Sequence, residues 1–140
     1  MSARFFIDTN IFVYAFDPRA PGKAKKAAQL IRRGLDSGEG VVSYQVVQEF
    51  FNVALRRFSQ PMTTAEAEQY LITVFRPLLA VHSSPPLYIE SLRIFAKHRL
   101  SWYDSVVVAG ALEAHCEVLY SEDLQHGQRL ENLTVQNPFA

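Results

Sequence analysis

The stretch Arg4-Phe5-Phe6-Ile7-Asp8-Thr9-Asn10 places a short apolar run directly before three side chains that cap helices well. The run is too short for a helix, and its composition suits a buried strand over residues 3–7. Asp8, Thr9 and Asn10 favour a short helix immediately after that strand. The chain therefore begins with a strand that leads straight into a helix, and an acid stands at the junction.

The same alternation of short apolar runs and longer amphipathic segments continues to the end of the chain. Because short buried strands alternate with helices, the pattern predicts an α/β fold with a central, mostly parallel sheet of four to five strands. The predicted strands after the first are residues 41–43, 78–81, 118–120 and 133–135. The predicted helices are residues 23–35, 45–58, 63–75 and 87–98, and a last helix that opens at residues 101–104.

Length and composition fit one domain over residues 1–140. The single cysteine, Cys116, can form no internal disulfide, which fits a reducing compartment, and we expect the cytoplasm. No apolar run reaches the roughly 18 residues of a membrane span, and the amino terminus lacks a cleavable-signal pattern. We therefore expect neither a membrane span nor secretion.

The net charge of zero is the sum of two unequal parts. Residues 1–60 carry nine Lys or Arg and five Asp or Glu, whereas residues 61–140 carry five and nine. The first part is thus +4 and the second −4. Because phosphate affinity comes from lysine and arginine, a balanced total does not exclude a nucleic-acid substrate.

Four acids are predicted to reach the same edge of the sheet. Asp8 ends the first strand and Asp123 follows the strand over residues 118–120, while Glu49 and Asp104 lie in the first turns of two helices. Ligands of open parallel sheets bind at the carboxyl ends of the strands. Each acid also has a purely structural interpretation: Asp8 and Asp104 as helix caps, Asp123 as a turn residue and Glu49 as part of a solvated helix face.

A cluster of ionised carboxylates needs a cation, because like charges raise one another's proton affinity and cost stability. Ligands that are all oxygen favour magnesium, with manganese as the alternative. Magnesium takes one or two carboxylates directly and leaves others to hold its waters. Such a site suits phosphodiester chemistry, in which a metal orients phosphate and helps to activate water.

The motifs Phe6-Ile7-Asp8-Thr9-Asn10, Gln48-Glu49-Phe50, Tyr103-Asp104-Ser105 and Ser121-Glu122-Asp123 together resemble the PIN-domain family, in particular the VapC-type toxins of toxin–antitoxin pairs. The resemblance spans essentially the whole chain. It implies a three-layer α/β/α fold and a metal-dependent endoribonuclease that cleaves structured RNA, such as transfer RNA or ribosomal RNA loops, by metal-activated water.

The resemblance also implies roles for single residues. Asp8, Glu49, Asp104 and Asp123 would form the catalytic pocket, with Asp8 and Asp104 as direct ligands of Mg²⁺ or Mn²⁺ and the other two completing the site. Thr9, Asn10 and Ser121 would brace the carboxylates and the scissile phosphate. Many members carry a further aspartate where this chain has Gln125.

The resemblance implies two protein partners besides RNA: a cognate antitoxin, whose tail often inserts a basic side chain among the acids, and a second copy of the chain in a homodimer. The basic residues Lys23, Lys25 and Lys26 are candidates for contacts with the RNA backbone. Trp102 and Tyr103, beside Asp104, are candidates for stacking on unpaired bases, although burial is the commoner fate of aromatic residues.

Two other functions fit an acid at the end of the first strand. One is an α/β phosphotransfer protein, a receiver or a phosphatase, that uses Asp8 as its nucleophile. The lysine and the second early acid that such sites use are not evident in this sequence. The other is a non-catalytic binding module in which the acids serve only as caps.

Overall fold

The structure is a computed structural model that describes residues 3–140, so Met1 and Ser2 of the predicted domain lie outside the described residues. Its centre is a sheet with the strand order β3-β2-β1-β4-β6-β5. All neighbouring strands are parallel except β5 and β6, which form an antiparallel pair at one edge. The strands are β1 (Phe5–Ile7), β2 (Gly40–Ser43), β3 (Leu79–Val81), β4 (Val118–Tyr120), β5 (Arg129–Leu130) and β6 (Leu133–Gln136).

Helices connect β1, β2, β3 and β4 in turn. A π-helical segment, Leu71–Phe75, joins the fourth and fifth helices into one continuous rod. The helices are α1 (Thr9–Tyr14), α2 (Pro21–Ser37), α3 (Tyr44–Ala54), α4 (Thr64–Tyr70), α5 (Arg76–Leu78), α6 (Pro85–His98) and α7 (Trp102–Glu113).

Glycines on two helices show that the sheet is covered on both faces. The α-carbon of Gly34 in α2 faces the side chains of Phe5 and Ile7, whereas that of Gly110 in α7 faces the side chain of Phe6. Successive residues of a strand point to opposite faces. α2 and α7 therefore pack on opposite sides of β1, which confirms the predicted three-layer α/β/α architecture with a mostly parallel sheet.

The sheet has six strands where four to five were expected, because the two-residue strand β5 carries too short a pattern to recognise. It is paired through a tight reversal at Glu131, whose backbone has a φ of 58°. The other strands lie within one or two residues of their predicted bounds.

Two helix ends also differ from the prediction. α3 ends at Ala54 and not at Phe58, because the chain turns back so that the Met62 N–H donates to the Ala54 carbonyl at 2.9 Å. The helix predicted to end at residue 75 continues to Leu78 through the π-helical segment, in which the Arg76 N–H bonds to the carbonyl of Leu71. Pro77 has no backbone N–H to donate to the preceding turn, and the wider π-helical turn before it accommodates the missing hydrogen bond.

None of the helices within residues 3–140 is both long and apolar enough to cross a membrane.

Candidate active site

The strand order reverses between β1 and β4. The chain builds β1, β2 and β3 outward in one direction and then returns to place β4 on the other side of β1. Such a switch point leaves a crevice at the carboxyl ends of the two strands. Ile7 pairs with Tyr120 across this junction, and the Asp8 N–H donates to the Tyr120 carbonyl at 3.0 Å. Asp8 and the segment after β4 are thus held side by side.

Asp8 is the most enclosed acid of this region, with 5% of its surface exposed. Its Oδ1 accepts a bond from the Thr9 N–H at 2.7 Å, and its Oδ2 accepts one from the Ser121 hydroxyl at 2.8 Å. Burial, and to a smaller extent the charges of Asp123 and Glu49, raise the pKa of Asp8 to about 7 against the lowering effect of these two bonds. Asp8 caps α1 and lines the crevice at the same time.

Asp123 lies at the exposed rim, where Asn10 of α1 holds it. The Asn10 amide donates to both carboxylate oxygens, at 2.9 and 3.0 Å. The Ser121 hydroxyl, which bonds Asp8, also accepts from the Asp123 N–H at 3.2 Å. The pKa of Asp123 is raised by desolvation of its carboxylate and then by the charge of Asp104.

Glu49 reaches the site from α3. Its Oε1 accepts a bond from the Gln45 amide, one helical turn earlier, at 2.6 Å. Partial burial raises the pKa of Glu49, and the charges of Asp123 and Asp104 add to the rise, whereas the bond from Gln45 opposes it.

Asp104 arrives from the first turn of α7. Its backbone N–H donates to the Ser101 hydroxyl at 3.1 Å, which is one half of a capping box. The reciprocal bond from its carboxylate, of the kind that Glu66 makes to Thr63 at 2.9 Å, is not formed within the described part of the chain. The carboxylate of Asp104 lines the crevice instead.

The four acids line one crevice of about 460 Å³, which we call the acidic pocket. No lysine, arginine or histidine of residues 3–140 lines it. A cavity of about 410 Å³ at α1 and α3 is lined mostly by apolar side chains such as Phe16 and Phe58 and gathers no such set of acids. The other residues that line the acidic pocket are Thr9, Asn10, Gln45, Gln48, Asn52, Tyr103 and Val107.

The donor set of the acidic pocket fits a hard divalent cation held partly through water. Its donors are oxygens, and the raised pKa values of three carboxylates show that their charges are not compensated by the fold. Thr9 Oγ1 is buried and makes no hydrogen bond of good geometry among residues 3–140, but it lies close enough to Glu49 to lower the pKa of that carboxyl. No three of the described His, Cys, Asp and Glu side chains stand close enough together to form a ready-made metal site.

The three candidate lysines do not line the acidic pocket. The Lys23 ammonium bonds Glu122 Oε1 at 2.9 Å and lies over the ring of Tyr14. Lys25 and Lys26 are exposed on α2. The polar residues Gln45 and Gln48 were not predicted as site residues; the spacing of four residues between Gln45 and Glu49 was the only signal for the first.

Solved structures with the same fold include three of similar size. A toxin–antitoxin complex from Klebsiella pneumoniae matches with 17% identity over 98% of both chains and a TM-score of 0.67. VapC20 of Mycobacterium tuberculosis, described as a sarcin-ricin loop cleaving toxin, matches with 18% identity over 84% of this chain and 88% of that chain, with a TM-score of 0.58. FitAB bound to an IR36 DNA fragment matches with 15% identity over 97% of this chain and 96% of that chain, with a TM-score of 0.68.

At these identities the structural likeness shows the fold alone. A search of curated protein sequences gave no match. The sequence model of the PIN domain matches residues 5–129, a range that includes all four acids of the pocket. This match covers most of the chain, and the chain therefore belongs to the PIN domain family.

Proposed function

We propose that this chain is a metal-dependent endoribonuclease and the toxin of a VapBC-type toxin–antitoxin pair. The observation that carries the proposal is the convergence of Asp8, Glu49, Asp104 and Asp123, from four separate segments, on one pocket at the switch point of the sheet. If the acids served only as helix caps, nothing would require all four of them to line one pocket. Membership of the PIN domain family supports the same activity.

We propose Asp8 and Asp104 as the direct ligands of Mg²⁺, or of Mn²⁺, with Glu49 and Asp123 completing the site through the metal or its waters. Such an ion supplies electrophilic stabilisation of the phosphodiester and helps to activate water. The charge of four carboxylates, which no basic residue of 3–140 offsets at the pocket, supports this assignment.

The chain's own polar groups would keep the acids in place. Asn10 fixes both oxygens of Asp123, Gln45 fixes one oxygen of Glu49, and Ser121 bridges Asp8 to the backbone of Asp123. Each acid accepts no more than one bond per oxygen in these contacts, so lone pairs remain for a metal or its waters.

The substrate that we propose is structured RNA, with a loop of transfer or ribosomal RNA as the target class. The activity of VapC20, a sarcin-ricin loop cleaving toxin, supports an RNA loop as the target. The exposed Lys25 and Lys26 would contact the backbone of that RNA. Lys23 would contribute less, because its ammonium is already paired with Glu122.

The antitoxin that we propose would insert a basic side chain among the acids. Charge complementarity supports this, because the acidic pocket offers four carboxylates and no basic group of residues 3–140 lines it. A toxin–antitoxin complex among the structures of the same fold supports a partner of this class.

We also propose a homodimer through the exposed face of α6. Ile89, Leu92 and Phe95 follow one another at helical spacing with 68%, 56% and 46% of their surfaces exposed. Exposed apolar patches of this kind mark interaction sites. On the same helix Arg93 and Glu90 form an ion pair, and because a two-fold interface pairs residue i of one copy with residue j of the other, Arg93 of one copy can face Glu90 of the second.

Cleavage of RNA by purified protein tests the proposed activity. Asp8→Asn and Asp104→Asn should each abolish Mg²⁺- or Mn²⁺-dependent cleavage, and chelation should abolish it in the wild type. Asp36→Asn, on the exposed side of α2, is the matched control and should cleave as the wild type does. Cleavage that persists in both pocket variants would assign the acids to capping alone, and a phosphorylated Asp8 would assign the chain to phosphotransfer.

A further inference from the structure

A second cavity, which we call the side pocket, adjoins the acidic pocket. It is lined by Gln45, Gln48 and Tyr103, which also line the acidic pocket, and by Leu87, Tyr88 and Trp102, among others. The two cavities therefore share a wall that α3 and the start of α7 provide. A group bound in the side pocket would lie next to whatever the acids hold.

Aromatic rings at the side pocket are unusually exposed. Trp102 and Tyr88 stack with ring centroids 6.3 Å apart and an angle of 28° between their planes. Tyr103 is 66% exposed, and Trp102 and Tyr88 are 36% and 42% exposed. Aromatic residues normally bury most of their surface, so three accessible rings at one cavity favour a planar, stacking ligand.

Gln45, which lines both pockets, carries a hydrogen-bond acceptor that has no partner in the described part of the chain. The Gln45 amide nitrogen donates to Glu49, and because an ionised carboxylate can only accept, this bond sets which way the amide faces. The remaining oxygen, Gln45 Oε1, is buried and has no partner among residues 3–140. A buried, unpaired acceptor costs free energy unless a ligand supplies the donor.

The charge and the size of the side pocket further restrict the ligands that it can bind. None of the described residues that line the side pocket is ionic, so it suits a neutral group better than a phosphate or a guanidinium. Its volume of about 150 Å³ is well below the 300 Å³ or more of a typical small-molecule site. That space fits one ring system and not a length of peptide.

We propose that the side pocket binds one unpaired nucleobase of the RNA, adjacent to the phosphodiester at the acidic pocket. The proposal rests on the ribonuclease function proposed above and names how that site selects its substrate. The base stacks on the exposed rings and donates an exocyclic N–H to Gln45 Oε1. Adenine, cytosine and guanine carry such a group, whereas uracil has no exocyclic N–H and offers only the N–H of its ring.

Trp102 is the only tryptophan of the chain, so its fluorescence reports on the side pocket directly. The titration uses the Asp8→Asn variant with Mg²⁺ and single-stranded oligoribonucleotides, some of which carry one abasic position. Intact oligonucleotides should quench the fluorescence of Trp102. Among the oligonucleotides with one abasic position, the one that lacks the base bound in the side pocket should bind roughly 5- to 150-fold more weakly, the range for one stacked base. Tyr88→Leu in the same background should weaken binding of the intact oligonucleotide and not of that abasic one.

Cleavage assays supply an independent readout. Trp102→Leu should lower kcat/KM on the intact substrate roughly 5- to 150-fold, and Trp102→Phe should restore most of it. The losses from Trp102→Leu and from the abasic position should not add, because both remove the same contact. Leu55→Ala, 39% exposed and in neither pocket, is the control that should leave cleavage unchanged.

The proposal would be overturned if the intact oligonucleotide and every singly abasic one quenched Trp102 equally. It would also be overturned if the losses of kcat/KM from Trp102→Leu and from the abasic position were additive. Quenching by an arginine-bearing peptide and not by RNA would assign the side pocket to a protein partner instead. If the wild type cleaves no RNA, the proposed activity fails, and the fluorescence titration still decides whether the side pocket takes a base.

Discussion

At the scale of single residues, the structural and functional interpretations of the acids are compatible. Asp8 caps α1 through its bond from the Thr9 N–H and also lines the acidic pocket. A capping carboxylate in open solvent has its negative charge stabilised by the helix, which favours the ionised form. The raised pKa of Asp8 is the opposite of that effect and reflects its enclosure in the pocket. Burial at Asp8 outweighs its two hydrogen bonds, so the fold holds a carboxylate that it does not by itself favour as an anion.

Asp8→Asn should therefore stabilise the metal-free protein at neutral pH. The pKa of Asp8 is about 7 in the fold against an ordinary value of 3.8, so the folded state binds the proton more tightly. The contribution of Asp8 to stability is fully present below about pH 4 and is lost as the pH rises to about 7, a loss of up to about 4 kcal/mol. Asparagine does not ionise. The free energy of unfolding of Asp8→Asn, measured in urea, should therefore not fall in this way between pH 4 and 8.

The measurement is made in a chelator, with Asp36→Asn as the exposed control that keeps the slope of the wild type. Added Mg²⁺ should raise the stability of the wild type most above pH 7, where Asp8 is ionised, and should do little for Asp8→Asn. Parallel pH curves for wild type and Asp8→Asn would show that burial of this carboxylate is not costly.

Ser121→Ala should weaken metal binding without unfolding the protein. Ser121 is fully buried, and its hydroxyl donates to Asp8 and accepts from the backbone of Asp123. Loss of a group that orients a ligand lowers metal affinity by roughly 10- to 100-fold. Calorimetric titration with Mn²⁺ measures this.

The matched control for Ser121→Ala is Ser91→Ala, because Ser91 is also fully buried and donates one bond, to the Leu87 carbonyl at 2.8 Å. It should cost similar stability and leave Mn²⁺ affinity unchanged. Equal Mn²⁺ affinity in all three proteins would remove Ser121 from the site.

At the scale of elements, the sequence predicted most helices and strands because each carries its own pattern. Three capping residues follow β1, and the apolar run of α7 follows a serine and an aspartate at capping distance. Strand neighbours have no such local signal: only the fold shows that β4 lies beside β1 and brings Asp123 near Asp8. Gln45 escaped prediction as a site residue for the same reason, since its importance depends on a cavity that α7 closes.

The contact of α2 with β2 should be the least tolerant of added volume. A β-carbon on Gly40 would lie 2.6 Å from the α-carbon of Gly34, and backbone on both sides leaves no flexible side chain to move. Gly40→Ala should therefore lower the free energy of unfolding by about 1–3 kcal/mol.

Gly22→Ala, near the start of α2, is the matched control, because its β-carbon would meet nothing within 4 Å. It should leave stability unchanged or raise it by up to about 1 kcal/mol. Chemical denaturation of the two variants measures both effects. Equal stability of Gly40→Ala and the wild type would mean that α2 can lift from the sheet at no cost.

At the scale of the whole molecule, zero net charge conceals an organised separation. Residues 1–60 are +4 and residues 61–140 are −4, yet the acidic pocket takes Asp8 and Glu49 from the first part and Asp104 and Asp123 from the second. A bound divalent cation would offset two of these charges. The protein with its metal is then net positive, which suits a polyanionic substrate better than the bare count implies.

The homodimer proposed through α6 is the prediction that belongs to this scale. Leu92→Glu should convert the dimer to a monomer in sedimentation equilibrium, because it places a charge at the centre of the apolar face formed by Ile89, Leu92 and Phe95. Ile72→Glu is the control, since Ile72 is 46% exposed and belongs to the π-helical segment and not to α6, and it should leave the mass unchanged. A wild type that sediments as a monomer at all concentrations would leave this face to another partner.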